Sequence, residues 1–140
     1  MSENLSLKAF VVTMKAAKTL EGRVTDDISS YDIKVSEFTI LEALYHKGPQ
    51  TVREISNAVL IKFGSITYVI DKLEKKGLIK RINSTTDRRV VYIHITEKGK
   101  EEMDIIFPKH QKVIENMFQN INHREKELLI DLLKKIGKGR

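Results

Sequence analysis

The stretch RINSTTDRRVVYIHIT, Arg81–Thr96, sets an aspartate and two consecutive arginines, Asp87, Arg88 and Arg89, between two runs that alternate like β-strands. A guanidinium at an exposed hairpin tip gains little by packing. It can instead enter a DNA minor groove, where the negative potential is strongest over narrow A·T tracts. An Asp two residues before Arg89 can fix that guanidinium and reduce the entropy lost on binding. The same residues also fit a turn-forming Asp beside two surface arginines. What favours binding is the position of the hairpin, directly after a helix-turn-helix pattern. The last helix of that pattern places Ser65, Thr67 and Tyr68 near its start and Lys72, Lys75 and Lys76 near its end. Hydroxyls at a helix start reach base edges or phosphates, and the free N–H groups there favour an anion. Ser65 equally serves as a plain N-cap, and Lys75 and Lys76 fit charges that complement the helix dipole. Lys72 is the expected phosphate contact.

Other chemistries find no support. His46, His94, His110 and His123 share no metal-ligand spacing and read as surface or capping groups, so no metal and no cofactor is expected. The seven glycines sit at turns and helix ends, not in a phosphate-binding loop. Ser, His and Asp occur, but nothing places them at a nucleophile elbow. The chain therefore does not read as an enzyme. It has no cysteine, which removes disulfides, thiolate metal sites and thiol redox switches together.

Charge sharpens the polyanion reading. The 140 residues carry a net +6, and residues 61–100 alone hold ten Lys/Arg against four Asp/Glu, so the whole excess lies in one block around the opening stretch. Such a patch is the footprint of a polyanion binder, or a solvated basic face. No apolar run approaches the roughly 20 residues that span a bilayer. The start, MSENLSLKAF, lacks the basic n-region of a signal peptide, so a cytoplasmic protein is expected.

The elements that must position these residues follow from periodicity. A first helix over 5–30 carries Phe10, Met14, Ala17, Val24 and Ile28 on one stripe. Ser36 is the expected N-cap of a second helix, which Gly48-Pro49 ends. Thr51 to Glu54 is a capping box that opens a short third helix. A fourth runs from about Gly64 to Lys76 and closes at Gly77. Strands at 78–82 and 90–95 flank a loop at 83–89. Thr96 caps a helix over about 97–120, in which Pro108 should introduce a bend or a break. Asn122 to Glu125 opens a last helix with Leu128, Leu129, Leu132, Leu133 and Ile136 on one stripe, ended by Gly137 and Gly139. The fold class is mainly α with a small β-wing: a winged helix-turn-helix over 36–96 inside a single domain, with flanking helices at 5–30 and 97–137.

The segment LEKKGLIKRINSTTDRRVVYIHITEKG, Leu73–Gly99, resembles the MarR family of bacterial transcriptional regulators. It carries a Gly-Leu-Ile turn at Gly77–Ile79, the basic Arg81, the Asp-Arg-Arg wing and an Ile-Thr-x-x-Gly exit at Ile95–Gly99. SEFTILEALYHKGPQTVREISNAV also fits, and LKAFVV and SEFTILEALYHKGP together are similar to the branch of the family that responds to quinones and phenols (MhqR-like). The resemblance implies a sequence-specific repressor of double-stranded DNA that acts as a homodimer through the flanking helices, on a pseudo-palindromic operator. Its implied DNA-binding residues are Ser65, Thr67, Tyr68, Lys72, Arg81, Asp87, Arg88 and Arg89. It also implies a small phenolic or quinone-like effector between the dimer helices and the winged module, with Phe10, Met14, Phe38, Leu41 and Phe107 as candidate lining. Apolar residues at helical spacing also fit plain core. The alternative function is a winged-helix protein-interaction module that docks through its basic wing. RNA binding is disfavoured by an aromatic content of 6%.

Overall fold

The computed structural model describes residues 4–138. Six helices and one hairpin follow in the order α1 (Leu5–Ser29), α2 (Val35–Lys47), α3 (Val52–Ala58), α4 (Ile66–Lys75), β1 (Ile79–Asn83), β2 (Val91–Ile95), α5 (Glu97–Met117) and α6 (His123–Lys138). Helix α2 is the centre. It is apolar on most of its circumference, and Glu37 to Leu41, Ala43 and Leu44 are all buried. Around it pack Ile55 of α3, Ile70 and Leu73 of α4, Ile93 of β2 and Met103 of α5, each with no exposed surface.

Local chemistry sets most boundaries. Thr51 and Glu54 close a reciprocal capping box, with the Glu54 N–H donating to Thr51 Oγ1 at 3.2 Å and the Thr51 N–H to Glu54 Oε1 at 3.1 Å. Asn122 and Glu125 do the same at the start of α6, at 2.9 Å each way. Helix α2 departs from expectation. Its cap position is Lys34, not Ser36, because the buried Glu37 carboxylate reaches back to accept the Lys34 N–H at 3.2 Å.

The hairpin pairs antiparallel from Ile79↔Ile95 to Asn83↔Val91. Both strands begin one residue later than their periodicity suggests, since Leu78 belongs to the turn and its carbonyl accepts the Thr96 N–H at 3.0 Å. Gln50 adds a bridge the sequence does not announce. It exchanges backbone hydrogen bonds with Ile93, and its buried side-chain amide donates to the Ala43 carbonyl at 2.9 Å. The turn before α3 is thereby fastened to the wing. The Ile95–Gly99 exit also acquires a physical reason. Thr96 Oγ1 donates to the Gly77 carbonyl at 2.6 Å and accepts the Gly99 N–H at 3.1 Å. A Cβ at position 99 would overlap the Leu78 carbonyl oxygen, so only glycine fits there.

Helix α5 runs unbroken through Pro108. The proline removes one backbone donor, while Met103 and His110 on either side are buried and hold the helix to the core. It ends at Met117, and residues 118–120 form turns. Helix α1 does not carry a single buried stripe: Ile28 is buried and Val24 packs against the core, whereas Phe10 and Met14 are 63% and 55% exposed. No residue of α6 is buried, and Leu128, Leu132, Leu133 and Ile136 face outward. Gly137 lies within α6, and Gly139 lies outside the described residues.

Candidate nucleic-acid interface

Helix α4 buries Val69, Ile70 and Leu73, which turns Thr67, Tyr68 and Asp71 outward. Ser65 is its N-cap, with Oγ accepting the Tyr68 N–H at 3.3 Å. Tyr68 is 63% exposed, and the Lys72 ammonium sits 5.7 Å from its ring centroid. A cation–π pair thus joins two of the residues singled out on this face.

The wing tip is an ordered loop. Ser84 Oγ accepts the N–H groups of Thr86 and Asp87 at 3.2 and 3.3 Å. Asn83 donates its amide to the Arg88 carbonyl at 2.7 Å, and the Ser84 N–H meets the Val90 carbonyl at 2.8 Å. On this platform the Arg89 side chain is 91% exposed, yet its Nε and Nη2 donate to the two Asp87 oxygens at 3.2 and 3.3 Å. The Arg89 side chain, and then its backbone N–H, hold the Asp87 carboxyl below the usual carboxylate range. Arg88 is exposed beside it.

Arg81 lies at the base of the wing, and its guanidinium is committed within the chain. Nη2 meets Asp71 Oδ1 and Nη1 meets Glu74 Oε1, each at 2.6 Å. Its backbone N–H adds a bond to Glu74 Oε2 at 3.3 Å. The bond to Asp71 foremost, and those to Glu74, raise its already high pKa. The residue ties the first wing strand to α4.

A half-open cavity of about 330 Å³ lies between α1, α2, α5 and the α3–α4 turn. Its walls are mostly apolar, with Leu20, Val24 and Ile28 from α1, Phe38 from α2, Leu60 and Ile61 from the turn and Ile114 from α5. Four polar side chains also line it: Glu21, Thr39, Glu42 and His110. Of the five candidate lining residues only Phe38 reaches it. Leu41 is sealed in the core, Phe107 packs against the rings of Tyr45, His46 and His110, and Phe10 and Met14 point out from the exposed half of α1.

His110 is a correction. It is not a surface or capping group but is 2% exposed. Its Nδ1 lies 2.9 Å from Asp27 Oδ2, and its ring centroid lies 4.8 Å from that of Phe38. Asp27 also accepts the Tyr31 hydroxyl at 2.5 Å, and that bond, after burial, helps push the phenol up to about 12. Nε2 faces Glu42 Oε2 at 3.9 Å, beyond hydrogen-bond length. Burial pushes the Glu42 carboxyl up, against the pull of His110 and His46. Thr39 is buried too, and its Oγ1 accepts the Leu60 N–H at 3.3 Å, which pins the turn that leads into α4. Thr39 and Glu42 carried no signal in the sequence that set them apart. One signal was available for His110: it follows Phe107 by three residues and precedes Ile114 by four, so it shares an apolar helix face.

Among the described residues no helix is long and apolar enough to cross a membrane. Residues 33–91, the helix-turn-helix and most of the wing, match the model of the MarR family. The chain is 41% identical over 132 residues to the HTH-type transcriptional regulator MhqR of Bacillus subtilis (strain 168), covering 94% of this chain and 91% of that one. Its fold is similar to that of AbsC, a MarR family transcriptional regulator from Streptomyces coelicolor, at a TM-score of 0.84 and 19% identity over 99% and 96% of the two chains. It is likewise similar to Bordetella bronchiseptica BpsR, studied for regulation of its DNA binding by 6-hydroxynicotinic acid, at 0.79 and 20% over 98% of each chain. With this coverage and identity to a regulator, and with the winged helix-turn-helix described above, the chain belongs to the MarR family of HTH-type transcriptional regulators.

Proposed function

We propose that the protein is a cytoplasmic repressor that binds a pseudo-palindromic operator as a homodimer, with α4 in the major groove and the wing tip in the minor groove. The observation that carries this reading is the Asp87–Arg89 pair, a guanidinium held in one geometry at an exposed point of an ordered loop. An arginine so fixed loses less freedom on entering a narrow groove. Ser65, Thr67 and Tyr68 then face base edges and phosphates, and Lys72 and Arg88 supply backbone charge. Arg81 serves a different purpose: bonded to Asp71 and Glu74, it sets the angle between wing and recognition helix.

Dimerisation accounts for the flanks. Phe10, Val11 and Met14 of α1 and Leu128, Leu132 and Leu133 of α6 are large, apolar and exposed, and a second copy would cover them. The cavity has the size and the apolar walls of a small-ligand site. A phenolic or quinone-like effector would lie against Phe38, with its oxygens toward Glu42 and His110. The control of BpsR by 6-hydroxynicotinic acid supports this reading. Because Leu60 and Ile61 form part of the wall, such a ligand would act on the segment that leads into α4. It changes DNA affinity only if it binds the two placements of that helix unequally.

Selection from a random duplex pool tests the proposal. Enrichment of an inverted repeat with half-sites about one helical turn, roughly 34–36 Å, apart is expected. A pool that shows no enrichment contradicts it and leaves the basic wing free for a protein partner.

A further inference from the structure

Helix α4 is fastened unequally at its two ends. At the C-terminal end the Lys76 ammonium meets the buried Glu37 carboxylate at 2.6 Å, and Lys98 of α5 donates to the Lys76 carbonyl at 2.8 Å. Thr96 Oγ1 donates to the Gly77 carbonyl just beyond. Arg81 of the wing takes Asp71 and Glu74 on the last turns. The start of the helix is held more lightly. Ser65 caps only its own helix, through the Tyr68 N–H. Leu60, which leads into it, is exposed, and Phe63 and Ile66 are only half-buried. Among the described residues, one hydrogen bond joins residues 60–66 to the chain outside α3 and α4: the Leu60 N–H donates to Thr39 Oγ1 at 3.3 Å. Thr39 is buried in α2, so its own place is fixed. Thr39, Leu60 and Ile61 also share the cavity wall. The ten residues of α4 span about 15 Å, so a tilt of about 4° around the fastened end moves the start by about 1 Å. A displacement of that size takes the Leu60–Thr39 bond beyond hydrogen-bond length.

We propose that Thr39 is a positioning residue for DNA recognition: its hydroxyl holds the end of α4 that brings Ser65, Thr67 and Tyr68 to the base edges, with the C-terminal fastening as the pivot. This rests on the DNA-binding reading above and adds to it a buried residue that touches no DNA. The cations of α4 and the wing belong to the fastened side. Loosening the start of α4 therefore costs base readout and leaves the attraction to phosphates in place. A molecule seated in the cavity would bear on the same hydrogen bond, which gives an effector its route to the DNA.

The test compares wild type, Thr39→Val and Thr39→Ser by fluorescence anisotropy on a duplex selected by wild type and on its scrambled form, at about 50 and about 200 mM salt. Valine keeps the shape of threonine and removes the acceptor, whereas serine keeps the acceptor. Thr39→Val should bind the selected duplex roughly 3- to 10-fold more weakly, the range of one net hydrogen bond. It should bind the scrambled duplex as wild type does, with the wild-type salt slope. Thr39→Ser should keep the preference for the selected duplex. Amide hydrogen exchange gives a readout without DNA. In Thr39→Val the amides of residues 60–66 should exchange faster, roughly 3- to 10-fold, while those of residues 76–79 keep the wild-type rate. Unchanged preference or unchanged exchange in Thr39→Val overturns the proposal. Equal weakening on both duplexes overturns it too, since that marks a packing role. In each of these cases wild type still discriminates between the duplexes, so the DNA-binding reading stands. A wild type that selects no duplex overturns that reading, and the proposal with it.

Discussion

The winged module and the helices that flank it solve the burial problem differently. Between α2 and β2 the apolar residues close on one another, and Ile40, Leu41, Ile55, Ile70, Leu73 and Ile93 have no exposed surface. In α1 and α6 the helical periodicity is as regular, yet Phe10, Met14, Leu132 and Leu133 stay at 44–63% exposure. Regular amphipathicity therefore shows that a face will be covered, but not by which chain. The module closes within one chain, whereas the flanks leave an apolar face that the proposed dimer would cover, which is why the dimer belongs to the same account as the DNA interface.

Four substitutions probe that contrast. The largest loss should follow Ile70→Ala, which opens a cavity in the closed core and should cost about 2–5 kcal/mol in denaturant unfolding. A much smaller cost would mean that the module core is not closed as described. Leu133→Asp places a charge on the open face of α6. It should cost about 3 kcal/mol of dimer affinity, the scale of an interface hot spot, and sedimentation should then show monomers. A dimer that persists would remove α6 from the interface. Arg89→Ala should weaken operator binding by roughly 1–3 kcal/mol, the scale of one good specific contact, and unchanged anisotropy titrations would end the minor-groove role. The smallest effect is a coupling. With Arg81→Ala already present the wing is no longer tied to α4, so the penalty for Arg89→Ala should shrink by about 0.5 kcal/mol or more. Additive penalties would show that Arg81 does not position the wing.

Much of this architecture was legible because its causes are local. The Thr51–Glu54 and Asn122–Glu125 boxes, the Ser65 and Thr96 caps and the Asp87–Arg89 pair all join residues two or three apart. Distance in sequence hid the rest. His110 finds Asp27 83 positions away, and Glu37 finds Lys76 39 positions away. No pattern along a single helix announces either pair. The role of Arg81 was closer to the surface of the text, since Asp71 and Glu74 stand three apart on the preceding helix and form a fork for a guanidinium. Its basic charge pointed to DNA, and within the chain that guanidinium meets both carboxylates. The cavity escaped because Thr39, Glu42 and His110 come from helices whose packing no sequence period encodes. The expected stripe of α1 failed for the complementary reason: Phe10 and Met14 meet no covering surface among the described residues.

The central claim is that the basic face of α4 and the wing reads DNA, and fluorescence anisotropy tests it most directly. The purified protein would be titrated into the duplex upstream of its own gene and into a scrambled duplex, each at two salt concentrations. The account predicts a clear preference for the native duplex and a steep loss of affinity as salt rises. Equally weak binding to both duplexes, with little dependence on salt, would contradict it.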